Sequence, residues 1–210
     1  MSKLIISGLT SVIVFFTSCE KVFSQESQLA VTKNRVENTV HRTENPLGIP
    51  LPSEISSTET VCILLRHAEK ENFGTDPNLA SAGKLRAEEL KRLLVNVHID
   101  NIYTTPYNRT RQTAGPLAES KGITVKEYIP AATIAATQLF INTILAQNQG
   151  KVVVIVGHSN TISDMVKVLS NNTLNVTISE TQFDNIFITK NSAMAGSEFA
   201  VQKKYGQITP

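Results

Sequence analysis

The sequence predicts an α/β fold, a three-layer sandwich with a mostly parallel central sheet, behind a leading segment of a different kind. Three observations predict it. Val61 to Leu65 (VCILL) and Val152 to Val156 (VVVIV) are continuously apolar over strand length, as strands covered on both faces are. Apolar residues between and after these runs recur at helical spacing, so strands and helices alternate. The composition fits a single ordinary unit with something added: 210 residues, 41% hydrophobic, 18% charged, formal net charge +2.

The leading segment comes first. Lys3 is followed by an apolar run from Leu4 to Phe16, the length of a signal-peptide core and too short to span a bilayer. Phe16-Thr17-Ser18-Cys19 resembles the lipobox of bacterial lipoproteins, with Phe16 where Leu is usual. The resemblance implies a signal peptide over 1–18 and an acylated Cys19, hence an exported protein anchored in the bacterial envelope and facing the periplasm. Cleavage near Val22-Phe23-Ser24 would instead release a soluble exported protein. Residues 19–59 are rich in Ser, Thr, Glu, Asn and Pro and read as a flexible tether, extended at its end by Pro46, Gly48, Pro50 and Pro52. The folded domain is expected over 60–210.

Within that domain, Val61 to Leu65 is the first central strand, and Cys62 is its buried thiol. Gly83, Ala87, Leu90, Leu94 and Val97 form one helical stripe, with Gly83 allowing close approach to the sheet. Ile102 to Thr104 is a short strand, Thr110 to Lys121 a helix stopped by Gly122, and Thr124 to Glu127 another short strand. Ile134, Gln138, Ile141 and Leu145 share a helical face that Phe140 and Ile144 widen. Val152 to Val156 is the second central strand, Thr161 to Leu169 a helix, and Asn185 to Thr189 and Phe199 to Lys203 late strands. Right-handed crossovers would leave the sheet parallel, with an antiparallel strand at its edge.

Parallel strands end at one sheet edge, where ligands bind. The residues just past the three strand ends are Arg66 and His67, then Thr105, Pro106 and Arg109, then Gly157, His158 and Ser159. Two arginines and two histidines therefore meet, with the start of the helix near Asn108 adding its positive end. Guanidinium groups bind phosphate oxygens bidentately, so the set describes a phosphoryl pocket better than a metal cage. A histidine there can attack phosphorus and form a phosphohistidine, while Arg66, Arg109 and His158 spread the charge of the transferring oxygens. No metal or other cofactor is needed. Near-neutral charge without basic clusters gives no footprint for nucleic acid, and two cysteines make neither a zinc ribbon nor a disulfide scaffold.

These residues carry a resemblance. Leu64-Leu65-Arg66-His67-Ala68-Glu69 is similar to the signature of the histidine phosphatase superfamily, whose fold is phosphoglycerate-mutase-like. Thr104 to Ala114 (TTPYNRTRQTA) is similar to its second motif, and Val156-Gly157-His158-Ser159-Asn160 to its second-histidine motif. The resemblance spans about Val61 to Tyr205. It implies that His67 is the phosphorylated nucleophile and that Arg66, Arg109 and His158 hold the phosphate of a small phosphorylated substrate. In size the chain resembles the compact phosphohistidine-phosphatase branch, and it lacks the extra segments of mutases. Asp76 and Asn78, in a stretch that resembles the entry to the family's first helix, read as turn or capping residues.

One departure matters. Many members carry a proton-donating Glu after the second motif, whereas Tyr128 to Leu139 (YIPAATIAATQL) holds no carboxylate. Glu69 is the nearest candidate in sequence; Glu127, Asp164 and Glu180 are other candidates, each read first as an ordinary surface charge. A good leaving group would need no strong acid. The expected function is a metal-independent phosphohydrolase acting outside the cytoplasm on a small phosphomonoester or an envelope component. The alternative from another class is a non-catalytic phosphate-recognition lipoprotein on the same fold. A metallohydrolase built on His67, Glu69 and His158 ranks below both. Oligomeric state is not legible.

Overall fold

The structure, a computed structural model, describes residues 47–50, 52–192 and 196–210. The expected signal peptide, Cys19 and most of the tether lie outside the described residues. After a short 3-10 turn, Pro52–Glu54, the domain alternates strand and helix: β1 (Glu59–Arg66), α1 (Ser81–Leu93), β2 (Asn101–Thr104), α2 (Asn108–Lys121), β3 (Lys126–Glu127), α3 (Ile134–Gln147), β4 (Lys151–Gly157), α4 (Ser159–Leu169), β5 (Asn185–Ser192) and β6 (Gly196–Lys204). Among the described residues no helix is long and apolar enough to cross a membrane.

The six strands form one sheet in the order β3-β2-β4-β1-β5-β6. β3, β2, β4 and β1 pair in parallel; β5 runs antiparallel to both β1 and β6. The antiparallel strand expected at the edge thus lies one place inside it, because β6 folds back on β5 and takes the edge. β1 and β4 sit side by side at the centre, where their continuous apolarity belongs.

Alternate residues of each strand divide the core into two layers. Val61, Ile63 and Leu65 join Val152, Val154 and Val156 under α1 and α2, against Leu90, Leu94, Ala114 and Leu117. Cys62 and Leu64 face the other way with Val153, Ile155 and Phe187, against Ile141 and Ile144 of α3 and Ile162, Met165 and Leu169 of α4. Helices on both faces make the three-layer sandwich, and each fully buried aliphatic side chain contributes about 1.5–3 kcal/mol. Leu47 and Ile49, from the stretch read as tether, are also buried in the first layer.

Two local patterns explain element positions. The Gly83, Ala87, Leu90, Leu94 and Val97 stripe is buried as expected, although α1 itself ends at Leu93 and the last two residues pack from the following turn. α3 keeps most of its expected face: Ile141 and Ile144 are buried and Phe140 and Leu145 pack against the core, while Ile134 is 46% exposed, Gln138 is exposed and Thr137 is buried in the first turn. Polar side chains are buried with it at its two ends. The Thr137 hydroxyl donates to Thr133 O at 3.1 Å, and the buried Asn148 amide donates to Ile144 O at 2.7 Å and to the Tyr103 hydroxyl at 3.1 Å.

Candidate active site

The register of the central strands sets the site. Arg66 lies opposite Gly157 and Thr104 opposite Val156, so three strands end level and the residues after them are neighbours. His67 continues the ladder by donating its N–H to Gly157 O at 2.9 Å. Ala68 N–H donates to Thr113 Oγ1 at 2.9 Å, and the Thr113 hydroxyl donates to Arg109 O at 2.7 Å. Gln112 holds the next loop, donating to Asn78 Oδ1 at 2.8 Å and accepting from Leu79 N–H at 2.7 Å. The Gln-Thr pair of the second motif therefore ties α2 to the segment after β1.

His67 is 3% exposed, and its Nδ1 lies 2.8 Å from Ala68 O. A carbonyl oxygen only accepts, so Nδ1 carries the proton and Nε2 of the neutral ring keeps its lone pair. Burial pulls the His67 pKa down to about 3, with Arg66, His158 and Arg109 adding repulsion against the opposing pull of the Ala68 carbonyl. The ring is neutral at any physiological pH and available as a nucleophile.

The two guanidinium groups are held at their backs. Arg66 Nη1 donates to Ser179 O and Gln182 O at 2.7 and 3.2 Å, and Nη2 donates to Glu180 Oε2 at 2.8 Å. The Phe183 ring lies 4.3 Å from its Cζ. Arg109 packs its Cζ 4.5 Å from the Tyr107 ring and places Nη1 3.6 Å from Asp76 Oδ1. The Nε–H groups of Arg66 and Arg109 are buried and meet no partner among the described residues. Buried donors of that kind normally find an acceptor.

His158 completes the cluster, its ring 5.5 Å from that of His67. Its N–H donates to Thr161 Oγ1 at 3.1 Å, fixing the start of α4, and its Nε2 lies 3.0 Å from Thr105 Oγ1, itself 2.9 Å from Thr110 Oγ1. Burial pulls its pKa down to about 4, helped by Arg109 and Arg66 and opposed by Glu180. The four expected residues, Arg66, His67, Arg109 and His158, thus come together with two spare N–H donors and one imidazole lone pair. That arrangement can bind a tetrahedral oxyanion and attack its central atom.

Other expectations change. Glu69, the nearest proton-donor candidate and a possible third metal ligand, has both carboxylate oxygens on Arg86 at 2.7–3.1 Å. It faces α1 and the C-terminal segment, because Arg86 offers it a bidentate partner there. Glu127 pairs with Arg111 at 2.6 Å, and Asp164 lies mid-helix in α4, away from its His158 end. Glu180 is no ordinary surface charge: it reaches into the cluster. The positive end of α2 is not open either, since the Asp76 carboxylate accepts from Asn108 N–H at 3.0 and 3.2 Å, the capping role expected of Asp76.

Sequence reasoning missed Thr110, Thr113 and Phe183, and read Glu180 as a surface charge. The two threonines stand in the second motif, three residues apart, and could have been read as inward-facing hydroxyls. No local pattern marks Glu180, which is 114 residues from Arg66.

Comparison with known proteins fits this geometry. The family model of the histidine phosphatase superfamily (branch 1) matches residues 62–129. Phosphoserine phosphatase 1 of Hydrogenobacter thermophilus is 40% identical over 70 residues, which cover 30% of this chain and 33% of that protein. The match thus spans about a third of the curated relative's length. Among solved structures, the protein histidine phosphatase SixA complexed with tungstate superposes with a TM-score of 0.58 at 13% identity, over 69% of this chain and 96% of that one. A mycobacterial glucosyl-3-phosphoglycerate phosphatase gives 0.55 at 12%, covering 70% and 98%. The phosphoserine phosphatase of Entamoeba histolytica gives 0.51 at 20%, covering 70% and 97%. These structural likenesses show the fold across the part of the domain that the sequence match leaves uncovered, and residues 62–129, which carry Arg66, His67 and Arg109 of the cluster, match the histidine phosphatase superfamily model.

Proposed function

We propose that the protein is a metal-independent phosphohydrolase that works through a phosphohistidine on His67. The observation that carries the reading is the pair of buried, unpartnered Nε–H groups of Arg66 and Arg109 beside a neutral His67 whose Nδ1–H is held by Ala68 O. In the first step the His67 Nε2 lone pair forms a bond to phosphorus and the ester P–O bond breaks, the leaving oxygen taking a proton from water. Nδ1–H stays on Ala68 O and spreads the positive charge that develops on the ring. In the second step a water oxygen attacks phosphorus, the P–N bond breaks, and inorganic phosphate leaves. Arg66, Arg109 and His158 hold the phosphoryl oxygens in both steps.

The substrate class is a small phosphomonoester or an envelope component met outside the cytoplasm. The support is the apolar run Leu4 to Phe16 and the lipobox-like Phe16 to Cys19: removal of residues 1–18, acylation of Cys19 and a tether over 19–59 would hold the domain at the membrane surface. A mass for the membrane-extracted protein beginning at an acylated Cys19 is the expected result, and a mature N-terminus after Ser24 would replace the anchor with release.

Activity is tested on the purified full chain with an aryl phosphate at mildly acidic pH, with and without a chelator. Turnover in both cases is expected, with an acid-labile phosphoprotein that disappears in His67→Ala together with at least about 10³-fold of the rate. Chelator-sensitive turnover would favour a metal site, and phosphate binding without turnover would favour the recognition module.

A further inference from the structure

We propose that Glu180 is a specificity-determining internal anion, which occupies the phosphate-binding edge of Arg66 and must be displaced by any phosphoryl ligand. The proposal rests on the phosphatase reading of the same site. Arg66 has five N–H groups. Nη1 is committed to the carbonyls of Ser179 and Gln182, which leaves the Nε and Nη2 edge as the fork that a bidentate oxyanion would grip. Glu180 Oε2 takes Nη2 at 2.8 Å, while its other oxygen accepts from the Ser159 hydroxyl at 2.7 Å. Nε stays unpartnered among the described residues.

The carboxylate therefore holds the fork at one point only. A phosphoryl group in the same place gains Nη2 and Nε together, plus Arg109. Exposure sets which partner yields: the Arg66 side chain is 3% exposed and Glu180 79%. Glu180 can swing into water with little desolvation to undo, and the loop behind it can stay, because Arg66 Nη1 grips that loop independently of the glutamate. Two consequences follow. A ligand that grips weakly, including the product inorganic phosphate, competes poorly with the tethered carboxylate. A displaced Glu180 also stays tethered beside Arg66 by the loop that Nη1 grips, and hastens product departure by returning.

The test is direct titration of inorganic phosphate and of vanadate into the full chain, with the same phosphate used as a competitive inhibitor of aryl phosphate turnover. Glu180→Ala is expected to tighten phosphate about three- to tenfold. Glu180→Gln, which keeps the shape without the charge, should give most of that gain, and Ser159→Ala a smaller gain in the same direction. The sign is diagnostic, since a damaged pocket binds less tightly. Equal or weaker phosphate binding in Glu180→Ala, or no binding in either protein, overturns the proposal. Turnover is read separately: wild-type chain that binds phosphate without hydrolysing any ester sinks the phosphatase reading, while the ratio of the two affinities still decides the role of Glu180.

Discussion

Two arginines of this domain are buried alike and used differently. The side chains of Arg66 and Arg86 are each 3% exposed, and each meets a glutamate at 2.7–2.8 Å. Every nitrogen of Arg86 has a partner: Nε and Nη2 on Glu69, Nη1 on Tyr205 O, and Nη2 again on Gln207 O. Its partner Glu69 is itself 19% exposed. Arg66 keeps one buried donor unused, and its glutamate stands in water. A guanidinium whose every nitrogen is bonded within its own chain is a clamp. One with a donor left over and a loose anion on its open edge is a receptor.

The contrast can be broken by experiment, beginning with the largest effect. Arg66→Met should lower kcat/KM for an aryl phosphate about 10²–10³-fold, the usual result of removing one charge-stabilising donor, with a smaller loss of Tm than the matching Arg86 variant. A Tm collapse in Arg66→Met would make both arginines clamps. Arg86→Met should lose roughly 3 kcal/mol and about 6–12 °C of Tm, because it strands the half-buried Glu69 carboxylate and two carbonyls. Arg86→Lys should recover little, since one ammonium cannot span three acceptors in a plane. Thermal denaturation of the two variants beside wild type checks both.

Gly83→Ala sharpens the clamp side. A Cβ there would lie 2.1 Å from Glu69 O, so α1 or the 68–69 segment must shift, at a cost of about 1–3 kcal/mol. Because Ala68 O orients His67, turnover should fall along with Tm; a drop in Tm with full kcat would show that the nucleophile is positioned independently of Glu69.

The contrast also appears as pH dependence, which belongs to the receptor side. His67 and His158 are pulled down to about 3 and about 4 in the folded chain, against an unfolded value of 6.5. Between these values the unfolded state binds protons that the native state refuses, so stability is full above pH 6.5 and falls as pH drops toward 4. His67→Asn should flatten that slope in a series of melts from pH 7 to 4. An unchanged slope would mean that the imidazole is already charged in the native protein.

Much of this was legible in the chain itself. VCILL and VVVIV announced the two central strands, and the strand-end positions of Arg66, His67, Arg109 and His158 announced the site, because strand ends of a parallel sheet share one edge whatever the details. Helix faces were legible where apolar spacing alone decided them, as along Gly83 to Val97. They failed only at the start of α3, where Ile134 is 46% exposed and Thr137 is buried instead, its hydroxyl bonded to Thr133 O of the preceding turn.

Sequence alone could not assign the carboxylates. Glu69 adjoins the proposed nucleophile in the chain yet faces away from it, while Glu180, 114 residues from Arg66, touches it. A carboxylate goes to whichever donor the fold presents, and chain separation says nothing of that. Local sequence thus determined which backbone forms strand, which forms helix, and where the chemistry gathers, since these follow from short-range periodicity and from the geometry of a sheet edge. Only the tertiary structure decided which arginine is spent and which is spare, because that depends on long-range hydrogen bonds: Tyr205 and Gln207 reaching Arg86 from the C-terminal end, and Ser179 and Gln182 reaching Arg66 from the loop before β5.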